Sequence, residues 1–211
     1  MAAKIVAVAQ RKGGAGKTTL VAQLGVAWSR QGLRVAMLDV DPQGSLTAWA
    51  SVRQSSGRGP APLIAAVQGW KLGVEIDRLR NAYDLLVIDT PPHAETDARV
   101  AIRAADLMLV PLQPSPMDLW ATGATLELAK QEKRRPLLVL NRLPARSNMI
   151  AFSHDRIAQE GLPLASVALG NRTAYVSSMA EGAGVAETEP SSPAAQEIES
   201  LTAEIARILV I

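Results

Sequence analysis

A glycine-rich turn between a strand pattern and a helix pattern constrains this fold more than any other feature of the sequence. Residues Lys4–Ala9 are mostly apolar and rich in β-branched side chains, which is typical of a buried strand. The turn Gln10–Thr19 follows, and apolar residues then recur at helical spacing up to Trp28. A turn in this context can surround an anion with backbone N–H groups at a helix N-terminus. The sequence therefore predicts a phosphate-binding loop.

The residue types in this turn suit the phosphates of a nucleotide. Gly13, Gly14 and Gly16 allow the backbone to close around an anion because they carry no Cβ. Lys17 can reach the β- and γ-phosphates, and the hydroxyl of Thr18 can bind Mg²⁺. The alternative is a basic, glycine-rich turn with no ligand.

Two later strand patterns end in carboxylates. Residues 34–39 and 83–89 are mostly apolar and end in Asp39 and Asp89, and Asp41 follows the first of them closely. Ligands of open α/β sheets lie at the carboxyl ends of the strands, so these acids should face the phosphates. Asp89 is placed to hold Mg²⁺ through a water molecule. Asp41 could instead cap the helix that follows it, and both roles are compatible.

The remaining patterns continue the alternation of strands and helices. Further strands are predicted at Leu107–Pro111 and Pro136–Arg142, a surface loop at 54–62, and helices at 74–81, 118–133 and 193–211. Such alternation implies an α/β fold, a mostly parallel twisted sheet flanked by helices on both faces. The length of 211 residues fits one such domain, residues 1–211.

Composition excludes several classes of site. The chain has no cysteine, which rules out disulfides, zinc–thiolate sites and iron–sulfur clusters. No signal peptide is visible, and no apolar stretch approaches the roughly 18 residues that span a bilayer, so we expect a cytoplasmic location. The net charge of +2 permits contact with nucleic acid without requiring it.

The phosphate-binding loop departs from the usual pattern, which has Gly where this chain has Arg11. It reads Lys-Gly-Gly-x-Gly-Lys-Thr-Thr and so contains a second lysine, Lys12. This loop, together with Asp-x-Asp-Pro-Gln-Gly at 39–44, resembles the deviant Walker A motif and switch loop of the ParA/MinD superfamily of ATPases. The chain is most similar to the small ParA/ParF-type partition ATPases, over almost its whole length. The resemblance implies a P-loop NTPase-like fold.

The resemblance also implies ATP and Mg²⁺ as ligands and a homodimer in the ATP-bound state. Lys12 would cross the dimer interface to the partner's nucleotide, Asp41 would place the attacking water, and Asn141 would lie near the adenine, although asparagine is also common in turns. The implied catalytic residues are Lys12, Lys17 and Asp41. The implied ATP-binding residues are Lys12, Gly13, Gly14, Ala15, Gly16, Lys17, Thr18, Thr19 and Asn141. The implied metal-binding residues are Thr18, Asp39 and Asp89.

Members of this superfamily work with other macromolecules. The resemblance implies non-specific DNA binding by the ATP dimer, a nucleoid-associated location, and a ParB-like adaptor protein that stimulates hydrolysis. We expect the DNA contacts at Arg142, Arg146 and Arg172, whereas Lys130–Arg135 is either a solvated face or a DNA-contacting patch. The alternative function is a membrane-cycling spatial regulator like MinD, which the acidic C-terminal helix disfavours. His93 is expected to be a bystander rather than a catalytic base.

Overall fold

One parallel sheet forms the centre of the computed structural model, which describes residues 2–59, 62–92, 95–146 and 149–211. Its strands in these residues are β1 (Lys4–Val8), β2 (Val35–Asp39), β3 (Leu63–Ala66), β4 (Leu85–Asp89), β5 (Leu107–Leu112) and β6 (Pro136–Leu140). The strand order is β3-β2-β4-β1-β5-β6, and every neighbouring pair is parallel. The strand that precedes the phosphate-binding loop is therefore inside the sheet.

Helices cover both faces of this sheet. In the described part of the chain they are α1 (Lys17–Arg30), α2 (Ser45–Ser55), α3 (Leu72–Leu79), α4 (Glu95–Ala104), α5 (Pro116–Gln131), α6 (Met149–Gln159), α7 (Thr173–Ala180), α8 (Val185–Thr188) and α9 (Pro193–Leu209). Residues of α1, α2, α7, α8 and α9 share one apolar cluster, and residues of α3 to α6 form two clusters on the other face. The predicted α/β architecture is confirmed.

The two faces of the sheet follow from the alternation of side chains along each strand. In β1, Val6 and Val8 belong to the cluster that contains α1, whereas Ile5 and Ala7 pack on the opposite side with α3 and α4. Because both faces are covered, nearly every residue of β1 is buried, which explains its continuous apolar pattern. Trp28, in α1, is fully buried and belongs to the first cluster.

Several predicted boundaries are wrong. The loop predicted over 54–62 begins too early, since α2 continues through Ser55, and residues 60 and 61 lie outside the described residues. The edge strand β3 was missed because it is only four residues long and half-exposed. Helix α3 begins and ends earlier than predicted. Helix α5 begins at Pro116, because the hydroxyl of Ser115 caps it and proline needs no N–H partner in the first turn.

The C-terminal helix packs on the sheet rather than standing apart from it. Ile198, Leu201, Ile205 and Leu209 of α9 are buried in the cluster that contains α1. Over the described ranges, no helix has the length and apolar character required to cross a membrane.

Candidate nucleotide-binding site

The glycine-rich turn links the end of β1 to the start of α1, as its sequence predicted. Gly14 and Gly16 have φ angles of 76° and 92°, which residues with a Cβ rarely adopt. Lys17 is the first residue of α1 and is only 7% exposed, and its Nζ donates a hydrogen bond to the carbonyl of Gln10 at 3.1 Å. Burial lowers the pKa of Lys17, and the negative charges of Asp89 and Asp41 partly oppose that shift. The ammonium of Lys17 is therefore held inside the phosphate-binding loop.

Asn141 fastens this loop to the end of β6. Its Nδ2 donates to the carbonyl of Ala15 at 2.9 Å, and its Oδ1 accepts from the backbone N–H of Arg142. A Cβ added to Gly16 would lie 2.5 Å from Nδ2 of Asn141, so a larger residue there would displace the Asn141 amide in addition to straining the backbone. The side chain of Asn141 thus positions the phosphate-binding loop. The sequence predicts for it only a place near adenine.

Thr18 and Asp89 meet beside the lysine. The Thr18 hydroxyl donates to Oδ2 of Asp89 at 2.6 Å. Asp89 is fully buried, and burial raises the pKa of its carboxyl to about 7, against the hydrogen bond from Thr18. Its Oδ1 is also buried and has no hydrogen-bond partner among the described residues.

A hydroxyl and a carboxylate with an unsatisfied oxygen are the donor types that Mg²⁺ prefers. Within the described ranges there is no cluster of three or more His, Cys, Asp or Glu side chains that could hold a metal by themselves. Mg²⁺ usually takes only one or two carboxylates and completes its shell with phosphate oxygens and water. The residues present therefore fit a magnesium ion that binds together with a nucleotide.

Asp39 shapes the loop that follows β2. Its Oδ1 accepts from the backbone N–H of Asp41 at 3.2 Å, and its Oδ2 accepts from both the N–H and the hydroxyl of Thr47 at 2.8 Å. Because both oxygens are already occupied, Asp39 suits contact with a metal through water rather than direct ligation.

The acid that caps the first turn of α2 is Asp39 and not Asp41. The N-cap position of α2 is Gly44, whose side chain offers no acceptor, and Asp39 accepts the N–H of Thr47 in the first turn. Oδ1 of Asp41 accepts instead from Gln43 within the loop, at 3.0 Å. Asp41 is partly exposed and close enough to Lys17 to affect its pKa. The capping alternative is wrong for Asp41, which leaves its side chain at the open edge of the site.

Lys12 is held by a buried carboxylate of the same chain. Its Nζ lies 2.6 Å from Oδ2 of Asp118 in α5, and the two side chains are 36% and 3% exposed. The hydroxyl of Ser115 also donates to that oxygen. The charged end of Lys12 is thus anchored next to the loop.

The start of the loop is joined to α5 by further polar contacts. Gln10 donates from Nε2 to the hydroxyl of Thr122 at 3.0 Å and accepts at Oε1 from the hydroxyl of Thr125 at 2.9 Å. The backbone N–H of Arg11 donates to the same Thr125 hydroxyl. The side chains of Gln10, Thr122 and Thr125 are buried, and their hydrogen bonds fix the start of the phosphate-binding loop.

A cavity of about 210 Å³ opens beside Gly16 and Asn141. Leu169, Val176 and Met179 supply apolar walls, and Asn171 contributes a polar amide. An apolar cleft with a few polar groups next to a phosphate-binding loop has the form of a site for a nucleotide base. Asn141 lines this cavity, and its nearness to adenine stays a prediction.

The three arginines expected to contact DNA differ in their surroundings. Arg142 and Arg146 are exposed on the segment that follows β6, and Arg142 has a left-handed φ of 54°. Arg142 and Arg172 both line the cavity beside Gly16, and the guanidinium of Arg172 donates to Glu197 at 2.5 and 2.9 Å. The structure therefore brings Arg142 and Arg172 to one cavity, with Arg172 paired to an acid, and the DNA contacts of all three stay a prediction. His93 lies outside the described residues.

The residues that sequence reasoning missed are those of α5 that support the loop. Ser115 and Asp118 have the Ser-x-x-Asp spacing that commonly marks a helix start, and that signal was available in the sequence. The contacts of Thr122 and Thr125 with Gln10 had no comparable local signal, because they join residues that are far apart in the chain.

Comparison with known proteins agrees with this geometry. Residues 6–207 match the family model described as the CobQ/CobB/MinD/ParA nucleotide binding domain. Maintenance of carboxysome distribution protein A of Halothiobacillus neapolitanus is 29% identical over 95% of both chains. Protein ParA of Rhizobium radiobacter is 32% identical over 61% of this chain and 57% of its own length.

Solved structures share the fold at lower identity. The cell division ATPase MinD of Pyrococcus furiosus superposes with a TM-score of 0.80 at 22% identity, covering 97% of this chain and 99% of MinD. A variant of Cyanothece McdA in complex with ATP gives a TM-score of 0.78 at 18% identity, covering 99% and 97%. At these identities the likeness concerns the fold.

Proposed function

The chain belongs to the CobQ/CobB/MinD/ParA family of nucleotide-binding domains, and from this premise we propose that it hydrolyses ATP to ADP and phosphate in a cycle of dimerisation. In the ATP-bound state two copies associate and bind DNA without sequence preference. Hydrolysis, stimulated by a partner protein, separates them. Such cycling positions a large cargo.

The position of Lys12 carries this proposal. An ordinary phosphate-binding loop needs one lysine for the β- and γ-phosphates, and here Lys17 is buried in that place. Lys12 does not share that place: its ammonium contacts Asp118 of α5, and its side chain is 36% exposed. A second lysine at the mouth of the site can add positive charge to the phosphates of a facing copy once Asp118 releases it.

The other residues of the site divide the chemistry of hydrolysis. Lys17 and the loop N–H groups bind the β- and γ-phosphates and stabilise the negative charge that develops on them. Asp41 orients the attacking water from the open edge of the site. Thr18 and Asp89 hold Mg²⁺, with Asp39 behind a water molecule. A magnesium ion held there would neutralise part of the charge of the phosphates.

Measurement of turnover and of oligomeric state together tests this cycle. The wild-type chain with ATP and Mg²⁺ should hydrolyse ATP, and sedimentation should detect a dimer that is absent with ADP. Lys17→Ala removes the cation matched to the phosphates and should abolish binding of a fluorescent ATP analogue. Binding within a few-fold of wild type would contradict the role given to the loop.

DNA binding is proposed mainly through Arg142 and Arg146. Both are exposed, whereas Arg172 is engaged by Glu197 and would contribute less until that pair opens. If several such side chains meet phosphates, log K should fall linearly with log salt by about 0.9 per contact. Arg142→Ala and Arg146→Ala should each reduce the slope. Equal DNA binding without nucleotide, or no dependence on salt, would refute this part.

The relatives suggest the kind of cargo. The Halothiobacillus relative covers this chain almost end to end and is named for the distribution of carboxysomes, which favours a large protein assembly over a plasmid as cargo. A membrane-cycling role like that of MinD is the alternative. The apolar face of α9 is buried against α1 and so is not presented to lipid. Co-sedimentation with anionic liposomes in the presence of ATP would support the alternative.

A further inference from the structure

A wide groove lies next to the loop Asp41–Gly44, which we call the catalytic loop because it carries Asp41. It has a volume of about 1130 Å³ and is bounded by the loop Asp41–Gly44, the end of β3, the 3₁₀ turn Gly69–Lys71, and residues of α3 and α4. One wall of the groove is thus the segment to which we assign the positioning of the attacking water.

The outer wall of this groove is apolar and exposed. Trp70 is 76% exposed and Val74 is 74% exposed, although aromatic residues make up only 3% of the chain. The ammonium of Lys71 lies 4.7 Å from the centre of the Trp70 ring and covers part of it. An exposed tryptophan beside a concave surface is typical of the residues that dominate binding energy at protein interfaces.

The floor of the groove is acidic. Asp97 of α4 lines it together with Asp41, and the Asp97 side chain packs so closely on Gly69 that no Cβ would fit there. Glu75 also lines the groove but is paired with Arg78 in the same helix. With Glu75 paired, the charged lining consists of the carboxylates of Asp39, Asp41 and Asp97 and the ammonium of Lys71. The net charge of the lining is therefore negative, and it would repel the phosphates of DNA.

From this juxtaposition we propose that the groove binds an extended segment of a partner protein in which a lysine or arginine stands next to an apolar side chain. The apolar side chain packs on Trp70 and Val74, and the cation reaches Asp97 and the loop at Asp41. The proposal rests on the proposed function, since it gives the stimulating partner a docking site in contact with the catalytic loop. A second copy of this chain is the competing occupant.

Binding of defined peptides to the full-length chain with ATP and Mg²⁺ tests the proposal. The probe is a labelled 12-residue peptide of alternating arginine and leucine, compared with glutamate–leucine and arginine–serine peptides. Trp70→Ala should weaken binding of the arginine–leucine peptide by about tenfold or more. Asp97→Asn should weaken it by about threefold to fivefold, as expected for a partly exposed ion pair.

Matched variants outside the groove serve as controls. Trp120 in α5 is 72% exposed, and Asp77 is an exposed acid on α3 that does not line the groove. Trp120→Ala and Asp77→Asn should leave peptide binding within twofold of wild type. Equal binding of the glutamate–leucine peptide, or equal loss in Trp70→Ala and Trp120→Ala, would overturn the proposal.

Two further measurements separate the possible failures. If Trp70→Ala abolishes the ATP-dependent dimer in the absence of peptide, the groove is an interface between copies and the docking proposal is wrong. ATP turnover of the wild-type chain without peptide tests the proposed function independently. If the chain hydrolyses ATP but Trp70→Ala does not change peptide affinity, only the docking proposal is refuted. If the wild-type chain does not hydrolyse ATP, the proposed function is refuted.

Discussion

Replacement of Lys12 should affect stability and hydrolysis by two separate routes. In the monomer, Lys12→Ala leaves Asp118 buried without its ion-pair partner, 2.6 Å away. Removing one partner of a fully buried pair costs about 3–5 kcal/mol, and an exposed pair contributes about 0.2–1 kcal/mol. Lys12 is 36% exposed, and Ser115 still donates to Asp118, so we expect a loss of about 1–2 kcal/mol in the free energy of unfolding.

Asp118→Asn provides the matched perturbation of the same pair. It should destabilise the monomer by a similar amount, and the double variant should lose less than the sum of the two single losses. Urea unfolding of the nucleotide-free chain measures all three. Additive losses would mean that the Lys12–Asp118 contact does not contribute to stability.

Hydrolysis should distinguish the two variants. Lys12→Ala should still bind ATP but lose turnover by about 10²–10³, the effect of one preorganised charge at a developing anion. Asp118→Asn keeps the lysine and should retain most of the activity. A mixture of Lys12→Ala with Lys17→Ala places the bound ATP opposite an intact Lys12 and should recover part of the turnover. Wild-type turnover by Lys12→Ala alone would refute the reasoning.

Three further predictions follow from contacts in and around the site. Gly16→Ala should abolish binding of a fluorescent ATP analogue, because the new Cβ would lie 2.5 Å from Asn141 and the φ of 92° disfavours alanine; affinity close to wild type would contradict this. Asp41→Ala should keep ATP binding, slow hydrolysis and prolong the dimer in size-exclusion chromatography; unchanged turnover would refute its role. Hydrogen bonds from Arg34 lower the pKa of Asp84 to about 2, from 3.8. This pair therefore stabilises the fold above about pH 4 and loses that contribution as the pH falls towards 2. In Asp84→Asn the free energy of unfolding should fall less steeply between about pH 4 and pH 2, and the same fall as in the wild type would count against the pair.

Local pattern was sufficient to predict the parts of this protein that depend on neighbouring residues. The phosphate-binding loop could be predicted because a strand, glycines and a helix start follow one another in sequence. The acids Asp39 and Asp89 could be placed at one edge of the sheet because parallel strands align their carboxyl ends. The alternation of strands and helices then determined the fold class.

Contacts between distant segments required the tertiary structure. Asp118 meets Lys12, and Asn141 meets Ala15, only because the strand order places β5 and β6 in succession beside β1. The groove at Trp70 exists because the short edge strand β3, which has no clear sequence pattern, delivers a turn next to the catalytic loop. A sequence pattern specifies which face of an element is apolar, whereas the pairing of elements is decided by packing of the whole chain, and these side chains owe their roles to that pairing.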